Sequence, residues 1–245
     1  MKKELNVILT IHQPEHLPWL GFFNKMSKAE VFVFLDSVQF RKNYFQNRNK
    51  ILGSNGVQWI NVPTSVKGHM DSDLAHTEID TGRANAKWKM KYLRTIQMSY
   101  SKHPYFKDVY PTLEEAILTE TPYLCDINIA IIKNFAEKLD LHPQFVRSSK
   151  LNLSSAKSDL IFDICKEMKA DVYIAGPSGR NYLNIEHFLN AGIIVKYNDY
   201  IHPVYPQRKT EQFESKLSAI DLFMNCGWNE GKNVLMKGND DLSNI

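Results

Sequence analysis

The side chains best suited to chemistry lie near the N-terminus, in the run His12-Gln13-Pro14-Glu15-His16. An apolar segment precedes them and an amphipathic one follows, so the pattern places them between a strand and a helix. A helix N-terminus attracts anions, and nearby imidazoles supply hydrogen-bond donors or a proton. A helix cap alone does not require two histidines, a glutamine and a glutamate. We therefore predict that His12 and His16 are catalytic and that Gln13 binds substrate.

A second polar group, between residues 36 and 50, has the composition of a phosphate and sugar site. Guanidinium groups bind phosphate or carboxylate through paired hydrogen bonds, and side-chain amides hydrogen-bond to hydroxyls. Aromatic residues between them also suit single-stranded nucleic acid, but the net charge of +3 is small, and we expect no nucleic-acid partner. A solvated basic loop without a ligand explains the same residues equally well. The predicted substrate-binding residues here are Asp36, Gln39, Arg41, Asn47 and Arg48.

Residues 176–183, GPSGRNYL, follow a predicted strand and precede a predicted helix. Backbone amides at such a turn can bind phosphate. The segment lacks the Gly-Lys-Ser/Thr of a P-loop and is not a dinucleotide fingerprint. Taken alone, it is more typical of an ordinary turn than of a site. The predicted cofactor-binding residues are Gly176, Ser178, Gly179, Arg180 and Asn181.

The segment YIHPVYPQ, residues 200–207, adds His202 and Gln207 as predicted substrate-binding residues, although a structural corner is equally compatible with it. Histidine and cysteine are not clustered as in a zinc site. We predict no protein-held metal, and Mg²⁺ would arrive only with a phosphate ligand. The three cysteines are widely spaced, which indicates reduced thiols in a cytoplasmic protein.

Short apolar segments alternate with helical patterns along the chain. Because their apolar residues are continuous, these strands are expected to be covered on both faces. The pattern predicts an α/β fold with a doubly wound parallel sheet of about five strands, Rossmann-like or nucleotidylyltransferase-like. The predicted strands are 5–11, 31–35, 144–146, 171–176 and 193–200.

Helical and loop segments complete the predicted single domain, residues 1–245. Trp88, Tyr92, Ile96 and Tyr100 recur every fourth residue, and core packing is the favoured interpretation of that stripe. Residues 41–83 are interpreted as an insertion with a hairpin and a loop at 67–74, and residues 232–245 as a flexible tail. The predicted helical regions are 17–29, 84–140, 158–168, 185–189 and 216–225.

The composition is that of a globular protein, since 43% of the 245 residues are hydrophobic. An apolar run of about 18 residues is not found, so we predict no membrane span. The basic N-terminus meets His, Gln and Pro before any small-residue cleavage site, which argues against a signal peptide. A cytoplasmic location is the expectation.

Several segments together resemble the WbqC-like protein family. They occur in the family's order from about residue 8 to residue 228. The resemblance implies a role in bacterial surface-polysaccharide (O-antigen) biosynthesis, and within it an aminoacyl (glycine) or acyl transferase acting on an amino sugar. The segments are HQPEHLPWLGFFNKM, VFVFLDSVQF, KNYFQNRNKI, SGRNYL, DYIHPVYPQ and FESKLSAIDLFMNCGW.

A more distant similarity links the chain to pantothenate synthetase and the nucleotidylyltransferases. The segment 13–16 occupies the place of their His-x-Gly-His turn but lacks its glycine, and Val38-Gln39-Phe40 resembles Thr-Gln-Phe. The segment 178–183 is similar either to the enzyme's Ser-Ser-Arg-Asn-x-Tyr-Leu or to an earlier turn. The similarity implies ATP, with Mg²⁺, and an acyl-adenylate.

The favoured hypothesis is an enzyme in which ATP activates a carboxylate and the acyl group passes to an amino sugar or sugar nucleotide. His12 and His16 would stabilise charge on the transferring phosphate, and Ser178 and Arg180 would hold the other phosphates. Two alternatives stay open. One is a transferase that takes an activated donor without ATP, and the other is a non-catalytic sugar-nucleotide-binding or scaffold protein.

Overall fold

The computed structural model describes residues 7–65, 72–208 and 210–238. Within them, five strands form one parallel sheet and two further strands form an antiparallel hairpin. The strands are β1 (Ile8–His12), β2 (Val31–Phe34), β3 (Arg48–Gly53), β4 (Gly56–Asn61), β5 (Gln144–Arg147), β6 (Val172–Ala175) and β7 (Ile194–Tyr197). The helices are α1 (Leu20–Met26), α2 (Trp88–Tyr100), α3 (Phe106–Leu118), α4 (Leu124–Lys138), α5 (Lys157–Glu167), α6 (Ile185–Asn190) and α7 (Ile220–Lys237).

The parallel sheet has the order β5-β2-β1-β6-β7. Each strand after the first returns through helical crossovers, as parallel pairing requires. The predicted doubly wound α/β architecture is therefore confirmed, and the strand order is Rossmann-like.

Helical layers cover both faces of the sheet. Because successive residues of a strand point to opposite sides, each strand contributes to a core on either face. Phe32, Phe34 and Phe145 belong to the larger core, with apolar residues of α1, α2, α3, α4 and α7. Leu9, Val33 and their neighbours belong to a second core, with residues of α5 and α6. The larger core therefore lies on the face toward which His12, at the end of β1, also points.

Within the segment interpreted as an insertion, β3 and β4 form an antiparallel hairpin that pairs from Arg48↔Asn61 to Gly53↔Gly56. Gly56 has a φ of +96°, a conformation that glycine adopts without strain. The predicted loop at 67–74 lies mostly outside the described residues, and only 72–74 can be compared. Backbone hydrogen bonds join the hairpin region to the rest of the fold, including His16 N to Phe45 O at 2.8 Å.

The stripe of Trp88, Tyr92, Ile96 and Tyr100 is buried on α2, as predicted for core packing. Tyr100 is completely buried, and its hydroxyl accepts a hydrogen bond from Leu52 N in β3 at 3.1 Å. The helical region thus holds the hairpin against the main core. Among the described helices, none is both long and apolar enough to cross a bilayer.

The C-terminal helix is longer than predicted. The sequence pattern ends at 225 because glycine follows, and Gly227 does break the helix with a φ of +74°. A Cβ at this position would lie 2.7 Å from Tyr105 Cδ1, so glycine also permits close packing. Beyond the kink the helix resumes and buries Val234 and Leu235. The predicted flexible tail is therefore wrong for residues 232–237, while 239–245 lie outside the described residues.

Candidate active site

The strand order changes direction between β1 and β6. Two strands lie on the β2 side of β1 and two on the β6 side, so the connections leave the carboxyl ends of β1 and β6 in opposite directions. Open parallel sheets bind ligands in the crevice at such a point. The pairing of β1 with β6 ends at Thr10 and Ile174, so His12 and Gly176 each lie two residues beyond the last pair, at the same edge of the sheet. The fold thus brings together two predicted loops, 12–16 and 176–181.

His12 ends β1 and is half-buried, with its ring edge-on to Phe22 at 4.7 Å between centroids. Its Nδ1 lies 3.0 Å from the carbonyl oxygen of Gln13, so Nδ1 carries the proton and Nε2 the lone pair. Burial, aided by the positive charge of Lys25, lowers the pKa of His12 to about 3. A neutral imidazole with a free lone pair accepts a hydrogen bond or a proton. It does not supply the positive charge that phosphate stabilisation requires.

Two further ionisable groups belong to this region, the buried Lys25 and the half-buried Glu15. The sequence analysis included Glu15 in the 12–16 run but assigned a role to neither residue. Lys25, on α1, is 3% exposed and donates from Nζ to Ile11 O at 2.9 Å. Burial lowers its pKa to about 7, while Glu15 opposes that change. Burial raises the pKa of Glu15 to about 7, and its buried Oε2 has no hydrogen-bond partner. A lysine among the apolar residues of LGFFNKM was the available signal.

His16 is completely buried, and both ring nitrogens have side-chain partners. Nδ1 lies 2.9 Å from Asn128 Oδ1 on α4, and Nε2 lies 2.8 Å from Tyr92 Oη on α2. Asn128 Nδ2 also donates to Pro14 O at 2.8 Å and Gln46 O at 2.7 Å. These contacts fasten the turn after β1 to two helices and to the segment before β3. This geometry favours a positioning role for His16 over the predicted catalytic one.

Acidification is expected to destabilise the fold between pH 6.5 and 5. Burial lowers the pKa of His16 from 6.5 to about 4 and that of His12 to about 3. Over this interval the unfolded chain binds more protons at these sites, so the free energy of unfolding falls as pH falls. Glu15 and Asp221, whose pKa values are raised by burial, contribute in the opposite direction, while His202 and Lys25, whose pKa values are lowered, add to the effect of the two histidines. The urea midpoint should be lower at pH 5 than at pH 7.

Two substitutions separate this effect from general acid denaturation. His16→Phe should reduce the difference between the two midpoints, because the unfolded variant has one fewer histidine to protonate. His142→Gln, at an exposed position, should leave the difference close to that of the wild type. Equal urea midpoints at both pH values in the wild type would contradict the prediction.

Gln13 is held at the crevice by a neighbouring glutamine. Gln46 Nε2 donates to Gln13 Oε1 at 2.8 Å, and Gln46 Oε1 accepts from Arg41 N at 2.5 Å. The Arg41 side chain is exposed, whereas Asn47 is buried and donates to Val62 O at 3.3 Å. Of these three predicted residues, Gln13 therefore lies at the turn after β1, Arg41 is an exposed cation, and Asn47 binds the strand end of the hairpin.

Arg48 begins β3, and its guanidinium group stacks on the ring of Trp59 in β4. Its guanidinium carbon is 4.2 Å from the centroid of the Trp59 ring, and its buried Nε has no hydrogen-bond partner. Lys50 Nζ lies 5.3 Å from the same ring. Gln39, also a predicted ligand, is exposed and forms a bridge with Asp73. Arg48 thus lies on the insertion, and Gln39 lies in the segment between β2 and the insertion.

Asp36 follows β2 and is completely buried. Its Oδ2 accepts from Arg147 Nε at 2.5 Å and Ser149 Oγ at 2.9 Å, and its Oδ1 accepts from Ser149 N at 2.9 Å. Ser148 Oγ donates to Oδ1 at 3.2 Å. These donors occupy both oxygens of the carboxylate. The sequence predicts that Asp36 binds substrate, but its contacts instead stabilise the turn after β5.

The turn 176–181 forms a short 3₁₀ helix, Pro177–Asn181, after β6. A Cβ at Gly176 would meet no atom within 4 Å, so the space above this residue is open, whereas Gly179 approaches Ala175 and Leu183 closely. Ser178 and Asn181 are exposed. Arg180 forms a two-nitrogen ion pair with Asp199 and lies 4.2 Å from the Tyr197 ring centroid. Gly176, Ser178 and Asn181 are thus the accessible members of the predicted phosphate loop that no ion pair occupies.

His202 and Gln207 lie in the loop after β7. His202 Nδ1 donates to Pro203 O at 2.9 Å, while its buried Nε2 has no hydrogen-bond partner. Gln207 Nε2 donates to Asp221 Oδ2 at 2.9 Å. Asp221 is completely buried and also accepts hydrogen bonds from Tyr100 and Tyr205, both at 3.0 Å. This network joins the loop to α7, and the contacts of both predicted residues lie within this region.

Metal ligands are not concentrated at these loops. In the described parts of the chain, no group of three or more His, Cys, Asp or Glu side chains is placed to hold a metal ion. The three cysteines are free, with Cys125 and Cys165 buried and Cys226 partly buried. Burial raises the pKa of the Cys226 thiol, which disfavours the reactive thiolate.

Comparison with known proteins places the chain in a family. The model of the WbqC-like protein family matches residues 13–233. The chain is similar to the uncharacterized protein Rv1507c of Mycobacterium tuberculosis, with 28% identity over 220 residues that cover 89% of this chain and 94% of that protein. No solved structure matches the chain. Because the family model extends from the turn after β1 into α7, the chain belongs to the WbqC-like protein family.

Proposed function

We propose that this protein is a cytoplasmic enzyme of surface-polysaccharide (O-antigen) biosynthesis. It forms an amide by joining an amino acid or another acyl group to the amine of an amino sugar, which is free or part of a sugar nucleotide. ATP, with Mg²⁺, activates the acyl carboxylate as an acyl-adenylate. The family resemblance suggests the glycan setting, and the geometry of the crevice suggests the chemistry.

One observation carries the proposal: His12, neutral and with its Nε2 lone pair free, lies at the same edge of the sheet as Gly176, where the strand order changes. A crevice at this place in a parallel sheet is where nucleotides bind. A neutral imidazole at its edge suits a reacting amine, which has protons to give. An anion alone would prefer a cationic partner.

The space at Gly176 fits a nucleotide phosphate. Open space where a Cβ would stand allows a ligand to approach the backbone, and the exposed Ser178 hydroxyl offers one donor. Arg180 fits less well, because Asp199 already binds two of its nitrogens. The residues that would hold the phosphates are therefore Gly176 and Ser178, with Arg180 held near them through its ion pair.

His12 acts in the second half of the proposed reaction. The amine nitrogen forms a bond to the acyl carbon, and the bond from that carbon to the phosphate oxygen of AMP breaks. The attacking nitrogen becomes positively charged and releases one proton, which Nε2 of His12 accepts. Gln13, held by Gln46, is placed to orient the substrate by hydrogen bonds. General-base assistance contributes about 10²–10⁴ in rate, and the low pKa of His12 places its contribution at the lower end of that range, because a base is most effective when its pKa is near the working pH.

Pyrophosphate exchange tests the activation half directly. The full-length protein is incubated with ATP, Mg²⁺, labelled pyrophosphate and, one at a time, amino acids and sugar acids. At least one acid should drive label into ATP well above the acid-free control. Gly176→Val should raise the KM for ATP at least tenfold, because the added side chain enters space that no protein atom occupies.

The control is Ala84→Val, which creates the same side chain by a somewhat smaller enlargement at an exposed position outside the crevice and should leave exchange unchanged. If no acid drives exchange, the ATP-dependent form of the proposal is wrong. Thermal shifts with sugar nucleotides and acyl-CoA would then show whether an activated donor binds the native protein instead. If neither a donor nor ATP binds, transfer chemistry is excluded and a scaffold role takes its place.

A further inference from the structure

A small cavity lies beyond the carboxyl ends of β2 and β5, apart from the crevice at Gly176. Its volume is about 220 Å³. Ligand pockets in proteins usually measure about 300–1,000 Å³, so this cavity is too small for a nucleotide. The polar side chains that line it are His76, Tyr123, Asp126, Arg147, Ser149 and Lys150.

The cavity is on the same edge of the sheet as His12. Residue pairing runs from His12 to Phe34 and from Phe34 to Arg147, which places them in one row across three adjacent strands. Neighbouring strands lie about 4.8 Å apart, so the backbones of His12 and Arg147 are separated by roughly 10 Å. Alternate residues share a face, and these three occupy equivalent positions. The cavity therefore adjoins the crevice on the same side of the sheet.

Helix α4 contacts both the cavity and the turn after β1. Asp126, in its first turn, lines the cavity, and Asn128 holds the turn after β1 through Pro14 O and His16. Asp36 anchors the opposite wall by binding Arg147 and the backbone of Ser149. The walls are thus fixed by buried hydrogen bonds, as a preformed site requires.

The cavity presents both signs of charge. The Asp126 carboxylate is 32% exposed; its Oδ1 binds Arg147 at 2.7 Å and its Oδ2 accepts from Thr121 at 2.8 Å. Each carboxylate oxygen has two lone pairs, so it can accept a further donor from a ligand. The Arg147 guanidinium is 29% exposed. Lys150 is exposed and has no ion-pair partner in the described part of the chain.

We propose that this cavity binds a free α-amino acid, with the ammonium group on Asp126 and the carboxylate on Lys150 and Arg147. The zwitterion matches the one available carboxylate and the adjacent cations. A phosphate dianion would meet Asp126 at short range, and a neutral sugar would leave Lys150 unmatched. The assignment rests on the proposed function only in giving the amino acid the part of acyl donor, since its charges and size are read from the cavity.

Ligand-observed NMR tests the site in the absence of ATP. The full chain is titrated with each proteinogenic amino acid, with glucosamine and with inorganic phosphate. At least one amino acid should bind the wild type, while its methyl ester and its N-acetyl derivative, which each lack one charge, should bind at least tenfold more weakly. Lys150→Gln should weaken binding by about tenfold, equivalent to about 1.4 kcal/mol. Lys138→Gln makes the same change at an exposed site near the other end of α4 and should have no effect.

Each result bears on the site separately from the exchange reaction. Equal binding by the Lys150 and Lys138 variants would overturn the assignment, as would binding of glucosamine or phosphate in place of every amino acid. Failure of all amino acids to bind would overturn it as well. An amino acid that binds with the expected Lys150 dependence but drives no exchange would uphold the cavity and overturn the ATP-dependent function alone.

Discussion

His12→Ala is expected to lower amide formation by about 10²-fold while leaving pyrophosphate exchange close to the wild-type rate. The separation follows from the side of the reaction on which His12 acts. Its Nε2 is a lone-pair acceptor because Nδ1 donates to Gln13 O, and its pKa of about 3 keeps the ring neutral. Such a group assists the amine and contributes little to binding ATP. The two rates are measured on one preparation, with the acid identified by exchange.

Two amide variants show which ring nitrogen of His12 contributes to the rate of amide formation. His12→Asn retains a donor near the Nδ1 position, and His12→Gln retains an acceptor near Nε2. If His12 accepts a proton, neither amide restores the rate, since amides are not bases at neutral pH. Rescue by glutamine would reassign His12 to orienting the amine through a hydrogen bond. Equal loss of exchange and transfer would contradict the proposed division of the reaction.

Asp36→Ala is expected to destabilise the fold by roughly 3–5 kcal/mol, because it breaks a buried ion pair by removing one partner. The substitution leaves donors of Arg147, Ser148 and Ser149 without an acceptor. Urea unfolding at pH 7 gives the free energy directly, with Asp199→Ala as the comparison. That residue pairs with Arg180 on the surface, where both side chains are about half exposed, and its removal should cost about 0–1 kcal/mol.

A loss below about 1 kcal/mol for Asp36→Ala would show that the turn after β5 is held by other contacts. Asp36→Asn offers a second measurement that keeps the side-chain volume. It should lie between the wild type and Asp36→Ala, because the amide oxygen still accepts a hydrogen bond while the charge is lost. The order of the three proteins therefore tests the ion pair separately from packing.

The fold could be predicted because its strands are continuous apolar runs separated by helical patterns. The alternation identified all the strands of the parallel sheet, and the stripe on α2 identified part of the core. The end of α7 was missed because Gly227 interrupts the periodicity, and only the tertiary contacts of Val234 and Leu235 show that the helix resumes. A glycine in a helical pattern is thus ambiguous between an end and a kink.

The loops that form the candidate site could be predicted from the sequence, but the contacts of the residues within them could not. Strand ends at a parallel sheet direct attention to 12–16 and 176–181 without knowledge of contacts. The role of Asp36 depends on Arg147, 111 residues away along the chain, and no local pattern reveals such a pair. Lys25 was missed for a related reason, since its effect on His12 arises only when α1 lies against β1.

The hydrogen bonds of Asn128 have a consequence for local unfolding. One side chain on α4 binds Pro14 O, Gln46 O and the His16 ring, so both segments are bound to the same buried residue. Opening either of them breaks a bond to a buried group and exposes the other. In native-state hydrogen exchange, the amides of the turn after β1 and of the segment before β3 should therefore open together, with a common free energy. The turn after β1 and the insertion then form one cooperative unit, so a change that destabilises the insertion would also destabilise this turn.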